Sequence, residues 1–436
     1  MRLLVKSAPS RASSRAVPAR LLTALLLLFA AASSAAAQTS PLSQRGFLEV
    51  AGIGYPQTGP PDDTRLSGEA LFRQEASWRA ASWLTLSGAF DARAGSDERI
   101  ERSWAIDWAD RRLRRPALNV RSASAVVRRG GFTLEGGKQF VRWGKADVLS
   151  PTDRFAPRDL LEVVDNEFLA VTALRAIYER GADTLDVVWV PAFTPSRVPL
   201  AGSRWAPGTV AAGLPAALPV ADLGSVFPSR FQAGIRWNHV GSGFEHSLSY
   251  FDGFNNLPRI EVLPNPALGR TEVTRVYSPM RMAGGDAAWP LPWFTLKGEA
   301  AYFWTTDPQA DDYGIFVIQV ERQQGEWIFV GGYAGEFVTE DRAVAAAPVF
   351  AFDRGLANTF LGRASFTIDP LRSIAFEGAL RHDASGGWFK TEYSRAFGQH
   401  WRATARADLI TGSSEDSFFG AYRRNSSLRI TVRYSY

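Results

Sequence analysis

The 436-residue sequence contains 49 basic and 44 acidic residues, is 46% hydrophobic and has no cysteine. The missing cysteines exclude a thiol nucleophile, a thiolate metal site, a disulfide framework and a lipidated N-terminal cysteine. The first 37 residues carry five basic charges and no acidic one, so residues 38–436 have 49 − 5 = 44 basic against 44 acidic residues, and we find no retained basic face that would bind nucleic acid.

Residues 1–37 have the three zones of a secretory signal peptide. Five basic residues lie before or at the start of an apolar stretch, residues 21–32, which is too short to span a bilayer. Small residues at 35–37 form a cleavage site before Gln38. We therefore expect residues 1–37 to be a signal peptide and residues 38–436 to be one transmembrane domain that is exported through the periplasm.

After residue 37 no run of 18 apolar residues occurs, so the sequence predicts no membrane-spanning helix. Apolar and polar residues instead alternate with the period of two that places them on opposite faces of a β-strand. The pattern is clear in residues 84–93, 294–304, 373–382, 401–410 and 428–436. Each segment has about the ten residues of a tilted membrane strand, with one face for lipid and one for a wet interior.

The predicted connections alternate between short and long. Eight short turns are expected near residues 79–82, 128–131, 181–183, 241–243, 290–292, 323–325, 369–372 and 398–400. Nine long loops are expected near residues 56–65, 96–116, 144–166, 192–228, 254–270, 305–312, 338–356, 384–387 and 412–426. They predict a closed antiparallel transmembrane β-barrel of about 18 strands, with short periplasmic turns and long extracellular loops. Residues 100–109 alternate as well and could form a strand of their own, but they are counted as a loop extension. Strand boundaries read from one sequence are uncertain by a few residues, so 16 strands stay possible.

The chain ends in RITVRYSY, with an apolar residue at every second position, namely Leu428, Ile430, Val432, Tyr434 and Tyr436. This segment resembles the insertion signal of Gram-negative outer-membrane β-barrels of the porin type. The resemblance implies an outer-membrane location, recognition of the last strand by the outer-membrane assembly machinery and closure against the first strand. Outer-membrane lipid and lipopolysaccharide are then the surrounding partners, and the oligomeric state stays open.

A second resemblance covers about 20 residues, which contain GGKQ at 136–139, RWG at 142–144 and SPTD at 150–153. They are similar to a stretch of poorly characterised porin-like proteins and of alginate-export barrels. Lys138 departs from the common Gly-Arg-Gln form of that stretch. No substrate is therefore carried over from it.

The polar faces of the predicted strands supply charges of both signs for a wet lumen. The pore-lining candidates are Arg363, Arg381, Arg402, Arg406, Arg429, Arg433, Lys297, Glu299, Glu377, Lys390 and Glu392. They could select solutes by charge or brace the wall by pairing, and both interpretations stay open. Four of the arginines lie on the last two strands, so we expect a guanidinium cluster that is mostly unneutralised and favours anionic solutes.

The loop from residue 145 to residue 167 is the charged candidate for a constriction folded into the lumen. Its candidate residues are Asp147, Asp153, Arg154, Arg158, Asp159 and Glu162. The alternative is an ordinary solvated loop outside the barrel.

Catalytic chemistry has little support in the sequence. The four histidines are scattered without zinc-ligand spacing, and neighbours on a strand such as His246 and Ser247 point to opposite faces. We therefore assign no catalytic, cofactor or metal site. We expect a porin-like channel for passive passage or export of small polar or anionic solutes. A non-conducting surface barrel that acts through its loops is the alternative, and a barrel-embedded lipid hydrolase is a third.

Overall fold

The computed structural model describes residues 41–436 apart from 60–61, 104–105, 148, 201, 207–219, 343–351 and 414–416. The predicted signal peptide, residues 1–37, lies outside the described residues. In the described part of the chain, no helix combines the length and the apolar character that a bilayer span requires.

Eighteen strands form one closed antiparallel sheet, because the first strand, β1 (Leu42–Gly54), pairs with the last, β23 (Ser427–Ser435). In chain order the other barrel strands are β2 (Leu66–Ala81), β3 (Leu84–Gly95), β4 (Leu118–Arg129), β5 (Phe132–Gln139), β8 (Val171–Arg180), β9 (Asp183–Val190), β11 (Gln232–Val240), β12 (Glu245–Phe254), β15 (Pro279–Pro290), β16 (Thr295–Trp304), β17 (Asp312–Gln324), β18 (Trp327–Glu340), β19 (Thr359–Asp369), β20 (Arg372–Arg381), β21 (Gly386–Phe397) and β22 (Trp401–Gly412). The predicted 18-stranded barrel is confirmed, and the alternative of 16 strands is wrong.

The remaining short elements all lie in loops. They are β6 (Arg158–Asp159), β7 (Glu167–Phe168), β10 (Val220–Val226), β13 (Arg259–Asn265), β14 (Arg270–Val276), two 3-10 helices (Pro266–Leu268 and Gly420–Asn425) and one helical turn (Phe352–Gly355). Strands β10, β14 and β13 form a separate three-stranded sheet. The loop predicted near 254–270 therefore extends to residue 278, because β14 pairs with β10 of another loop instead of joining the barrel.

Short and long connections alternate around the barrel as predicted. All eight expected turns occur between paired neighbours, for example Gly181–Ala182 between β8 and β9. Residues 100–109 belong to the long loop between β3 and β4, and their described residues form no strand, since only the bridge of Ile100 with Arg115 pairs them. A segment with an alternating sequence does not become a barrel strand unless it has a partner strand on each side.

Alternation along β23 separates the two faces of the wall. Leu428, Ile430 and Val432 point outward and are 53%, 48% and 42% exposed. Arg429 and Arg433 point inward, where they meet carboxylates. The apolar face is thus the one available to lipid, as the period of two predicts.

Tyr436, the residue that follows β23, takes part in closing the barrel. Its backbone exchanges two hydrogen bonds with Gly46 of β1, of 3.2 and 3.0 Å. Its ring lies across Gly46, and its hydroxyl donates a 2.5 Å hydrogen bond to Oε1 of Gln74 on β2. A Cβ atom on Gly46 would lie 2.5 Å from that hydroxyl and 2.7 Å from the carbonyl oxygen of Arg73. Glycine at position 46 therefore lets the terminal aromatic span the seam.

We predict that Gly46→Ala destabilises the closed barrel by about 1–3 kcal/mol, because the added methyl group overpacks the seam. Gly52→Ala is the matched control, since it lies on the same strand and a Cβ there meets nothing within 4 Å. Heat-modifiable migration in gels and thermal unfolding in detergent micelles measure the difference. Equal stability of the two variants would show that the contact of Tyr436 with Gly46 does not hold the seam.

Candidate channel lumen and inner loop

The segment between β5 and β8, described at residues 140–147 and 149–170, folds into the barrel, and we call it the inner loop. Its main attachment to the wall is Glu299 of β16, which is buried. The carboxylate accepts five hydrogen bonds, from the amides of Lys145, Ala146 and Thr152 at 2.9–3.0 Å and from the hydroxyls of Ser150 and Thr152 at 2.7 and 2.8 Å. Glu299, predicted as a pore-lining residue, is therefore the anchor of the inner loop.

Glycine is required where the inner loop turns against this anchor. Gly144 has a φ of 89°, in the left-handed region that side chains disfavour. A Cβ atom there would lie 2.0 Å from Oγ of Ser150 and 2.5 Å from Oε1 of Glu299. The RWG sequence thus permits the backbone amides after Gly144 to reach one carboxylate.

The far end of the inner loop is held by arginines of the wall. Glu162 pairs with Arg429 at 2.7 Å, and Asp165 pairs with Arg429 at 2.6 Å and with Arg406 at 3.1 Å. Glu167 lies 3.0 Å from Arg93. Because Glu299 is on β16 whereas these arginines are on β3, β22 and β23, the inner loop crosses the lumen.

The six predicted constriction residues all lie in this crossing segment. Asp147 pairs with Lys297 at 3.0 Å, and Asp153 accepts from Nε of Arg142 at 3.0 Å. The guanidinium groups of Arg154 and Arg158 lie over the rings of Phe303 and Phe168. Asp159 pairs with Arg115 and with Arg197, both at 3.0 Å, and Glu162 pairs as described above. Asp147, Arg154 and Glu162 thus contact strands of the wall. The partners of Asp153, Arg158 and Asp159 named here lie in loops, and a constriction by this segment stays a prediction.

The expected cluster of unneutralised arginines is not found. Arg406 also pairs with Asp408 at 2.7 Å, and Arg433 pairs with Glu49 at 2.5 Å. Only Arg402 of the four has no ion pair within the described residues; it donates to Oγ of Ser394 at 3.1 Å. The prediction was wrong here because two partners come from the inner loop and a third from β1, which the last strand meets only when the barrel closes.

The other wall candidates also face the interior. Lys390 pairs with Glu377 at 2.5 Å, and Lys297 pairs with Glu321 at 2.8 Å. Arg381 lies 3.5 Å from Asp383 at the loop end of its strand, and Glu392 is opposite Arg406 in the strand register. Arg363 is exposed to the lumen and has no ion pair within the described part of the chain.

Several residues of the lumen were missed in the sequence. Asp91, Asp186 and Asp286 are nearly buried wall carboxylates that hold Arg73 at 2.7 Å, Arg175 at 2.6 Å and Arg236 at 2.8 Å, respectively. Asp186 also accepts from the indole of Trp143, and Lys145 reaches Asp286 at 3.1 Å. The sequence signal that could have identified them is an acidic residue on the inward face of an alternating strand. The alternation showed this for Asp91 but did not indicate its partners.

Burial and neighbouring arginines have opposite effects on the pKa values of the carboxyl groups in the inner loop. Burial raises the pKa of Asp153 to about 6, although Arg142 beside it acts in the other direction. Burial would also raise the pKa of Glu162 and Glu167, but Arg429 and Arg99 beside Glu162, and Arg93 and Arg121 beside Glu167, lower both to about 2. Glu162 and Glu167 therefore stay charged at neutral pH, whereas Asp153 titrates near pH 6.

A cavity of about 540 Å³ remains between the inner loop and the wall from β17 to β22. Its charged lining comprises Arg158, Arg363, Lys390 and Arg406 with Asp147, Asp165, Glu321 and Glu377. A second crevice of about 180 Å³ lies on the side of β1 to β3. Among the described residues no group of three or more histidine or acidic side chains could hold a metal ion. The larger cavity is the candidate passage, and its size suits a small polar molecule.

We predict that Glu299→Ala frees the wall end of the inner loop. Each hydrogen bond to a charged acceptor is worth ~1.5–3 kcal/mol, and the five donors would lose theirs. Hydrogen exchange of peptides covering residues 143–153, followed by mass spectrometry, should accelerate at least about ten-fold. Glu377→Ala is the control, because Glu377 pairs with Lys390 and not with the inner loop. Unchanged exchange in Glu299→Ala would remove Glu299 as the anchor.

A second prediction concerns pH. The folded-state pKa of Asp153, about 6, lies above the ordinary value of 3.8, so its contribution to stability is complete below pH 4 and is lost as the pH rises through 6. Relative to Asp153→Asn, the free energy of unfolding of the unmodified protein should fall by about 1–3 kcal/mol from pH 4 to pH 7. The same comparison with Asp147→Asn should stay flat from pH 5 to pH 7, since the pKa of Asp147 is lowered. A flat difference for Asp153 as well would contradict the shift.

Comparison with known proteins shows which fold the chain shares, through structural similarity at low sequence identity. No protein-family model matches the chain, and no curated protein sequence matches it. OpdQ of Pseudomonas aeruginosa superposes with a TM-score of 0.50 at 10% identity, over 91% of this chain and 97% of that one. A BenF-like porin of Pseudomonas fluorescens Pf-5 gives a TM-score of 0.53 at 9% identity, over 90% and 98% of the two chains. The protein therefore has the closed β-barrel fold of the outer-membrane porins.

Proposed function

We propose that this protein is an outer-membrane channel for the passive passage of small polar solutes. The observation that carries the proposal is the inner loop, which is anchored on both sides of an 18-stranded lumen and leaves a charged cavity of about 540 Å³ beside the wall. A barrel of 18 strands is wide enough for an aqueous path, and a loop folded inward reduces it to molecular size. Passive passage serves uptake and export alike, because the concentration gradient sets the direction.

An outer-membrane location follows from the wall of the same barrel. Its outward faces carry exposed apolar side chains such as Leu248, Phe360, Leu409 and Leu428. In water such a surface would aggregate, whereas lipid satisfies it and the strands leave no unpaired edge. The named fold neighbours include a porin, which agrees with this placement.

The charges of the cavity support a weak preference for anionic solutes. Most of its carboxylates are held by basic side chains, including Asp165 by Arg406 and Glu377 by Lys390. Arg363 lines the cavity without an ion pair among the described residues. A guanidinium group free to exchange hydrogen bonds with a carboxylate or phosphate gives such a solute one favourable contact in the passage.

The alternative of a surface barrel acting through its loops rests on the outer sheet of β10, β13 and β14, where Leu223, Val226 and Leu263 are exposed. A lipid hydrolase has less support. The hydroxyl of Ser247 donates to Asp286 inside the wall, while the ring of His246 packs against Trp237 and Phe244. Conductance decides between a channel and the other two functions.

We expect purified, heat-modifiable protein to give discrete conductance steps in planar lipid bilayers. Under a salt gradient, Arg363→Ala should shift the reversal potential toward cations, because the passage loses a positive charge that has no ion pair among the described residues. Arg372→Ala is the control, since Arg372 begins β20 at a short turn and pairs locally with Asp369.

One result would contradict the channel, and another would contradict only its proposed selectivity. Folded, membrane-inserted protein without any conductance would favour the surface barrel. Conductance with equal reversal potentials in Arg363→Ala and the unmodified protein would leave the channel but remove Arg363 from its selectivity.

A further inference from the structure

The loop between β9 and β11 sends a segment over the interior of the barrel. We call residues 191–200 and 202–206 the strap. β9 and β11 are the seventh and eighth strands of the ring, whereas the closing seam lies between the eighteenth strand, β23, and the first, β1. Arg204 of the strap contacts the loops on both sides of that seam. The strap thus extends from one part of the rim to a distant one.

On its way the strap is hydrogen-bonded to the inner loop. The amide of Leu160 donates to the carbonyl of Arg197 at 2.8 Å, and the amide of Arg197 donates to the carbonyl of Arg158 at 2.9 Å. The amide of Arg158 donates to Oγ of Ser196, and the guanidinium of Arg197 pairs with Asp159 at 3.0 Å. These backbone contacts make the strap and the inner loop neighbours along several residues.

At the seam the strap ends in a cage for one guanidinium group. Arg204 donates to the carbonyls of Thr64 at 2.5 Å, Gln57 at 2.7 Å and Arg424 at 3.1 Å, and to Oδ1 of Asn425 at 3.1 Å. The side-chain amide of Asn425 donates back to the backbone carbonyl of Arg204 at 2.9 Å. The guanidinium carbon lies 3.7 Å from the centre of the Tyr55 ring. Arg204 therefore joins the strap to the loops that follow β1 and β22.

The neighbouring residue completes the attachment. Trp205 is 1% exposed and packs against the ring of Tyr422 at 5.9 Å. The acceptors of Arg204 are carbonyl and amide oxygens, and its ring partner is neutral, so the attachment depends on shape and on hydrogen-bond geometry more than on net charge. Substitution by a smaller side chain would leave several polar groups of the cage unpaired.

We propose that Arg204 is a positioning residue for the inner loop, and that the strap is a releasable clasp that keeps this loop in the lumen. Glu299 holds the inner loop from the wall, and the strap holds it at residues 158–160 from the extracellular side. Release of Arg204 loosens the support at residues 158–160 and widens the passage. The effect on conductance rests on the proposed channel function, whereas the effect on the inner loop does not.

The sequence allows a reversible test, because it contains no cysteine. A Cβ atom on Gly59 would lie 3.2 Å from Cβ of Arg204, close to the ~3.5–4.5 Å that disulfides span. The double variant Gly59→Cys with Arg204→Cys should form a disulfide that replaces the cage. Oxidation then fastens the strap and reduction frees it in the same molecule.

Two measurements follow the strap in this variant. Trypsin cleavage after Arg154 and Arg158, identified by mass spectrometry, reports whether the inner loop is accessible. We expect the oxidised form to resist cleavage as the unmodified protein does, and the reduced form to be cut at least about ten-fold faster. In bilayers the reduced form should show larger and noisier conductance steps than the oxidised form.

Each outcome separates the clasp from the channel. Cleavage that depends on oxidation, without conductance in either form, supports the clasp and contradicts the channel. Conductance with cleavage and step size independent of oxidation overturns the clasp and leaves the channel.

If the disulfide does not form, Arg204→Ala is compared with Arg204→Lys, which keeps the positive charge and part of the donor set. Faster cleavage in Arg204→Ala with partial recovery in Arg204→Lys supports the clasp, and cleavage as slow as in the unmodified protein overturns it. Arg230→Ala is the control, because Arg230 belongs to the same connection but pairs with Asp252 at 2.6 Å.

Discussion

Pairing of the first strand with the last is the constraint on which the other features of this protein depend. Within lipid no water satisfies backbone N–H and C=O groups, so a sheet that crosses the membrane must be closed. β1 and β23 close it in one register, from Phe47 opposite Ser435 to Gly54 opposite Leu428. A slip by one residue would turn the arginines of β23 toward lipid. The seam therefore sets the lumen charges together with the lipid face.

Inside the ring, charge pairing holds the inner loop across the lumen. Carboxylates removed from water are costly unless they are paired, and those of the inner loop from Asp159 to Glu167 each meet an arginine. The wall supplies most of these arginines, and the strap adds Arg197 to Asp159. The pairing leaves few free charges, so the remaining cavity is lined by fixed groups of both signs, and Arg363 is an exception without an ion pair among the described residues.

The candidate passage lies between loops and the wall, and the strands supply the frame on which the loops are held. Contacts that position the inner loop join residues far apart in the chain: 153 positions separate Ala146 from Glu299, and 267 separate Glu162 from Arg429. The contact of Arg204 with Asn425 spans 221 positions. A rigid scaffold with loops that meet over its centre is a common arrangement for functional sites. Here it lets the wall and the strap both hold one segment.

The sequence by itself indicated a barrel of about 18 strands, their two faces and the alternation of turns and loops, because strands such as β23 carry a local period of two. It also indicated the charged segment from residue 145 to residue 167. The partners of those charges came only from the tertiary structure: Glu299 as an anchor, Glu49 beside Arg433 and the cage around Arg204. Alternation determines the face of the sheet on which a side chain lies. Pairing across the lumen instead depends on closure of the barrel and on how far each loop reaches. Neither of these two features produces a periodic pattern in the sequence.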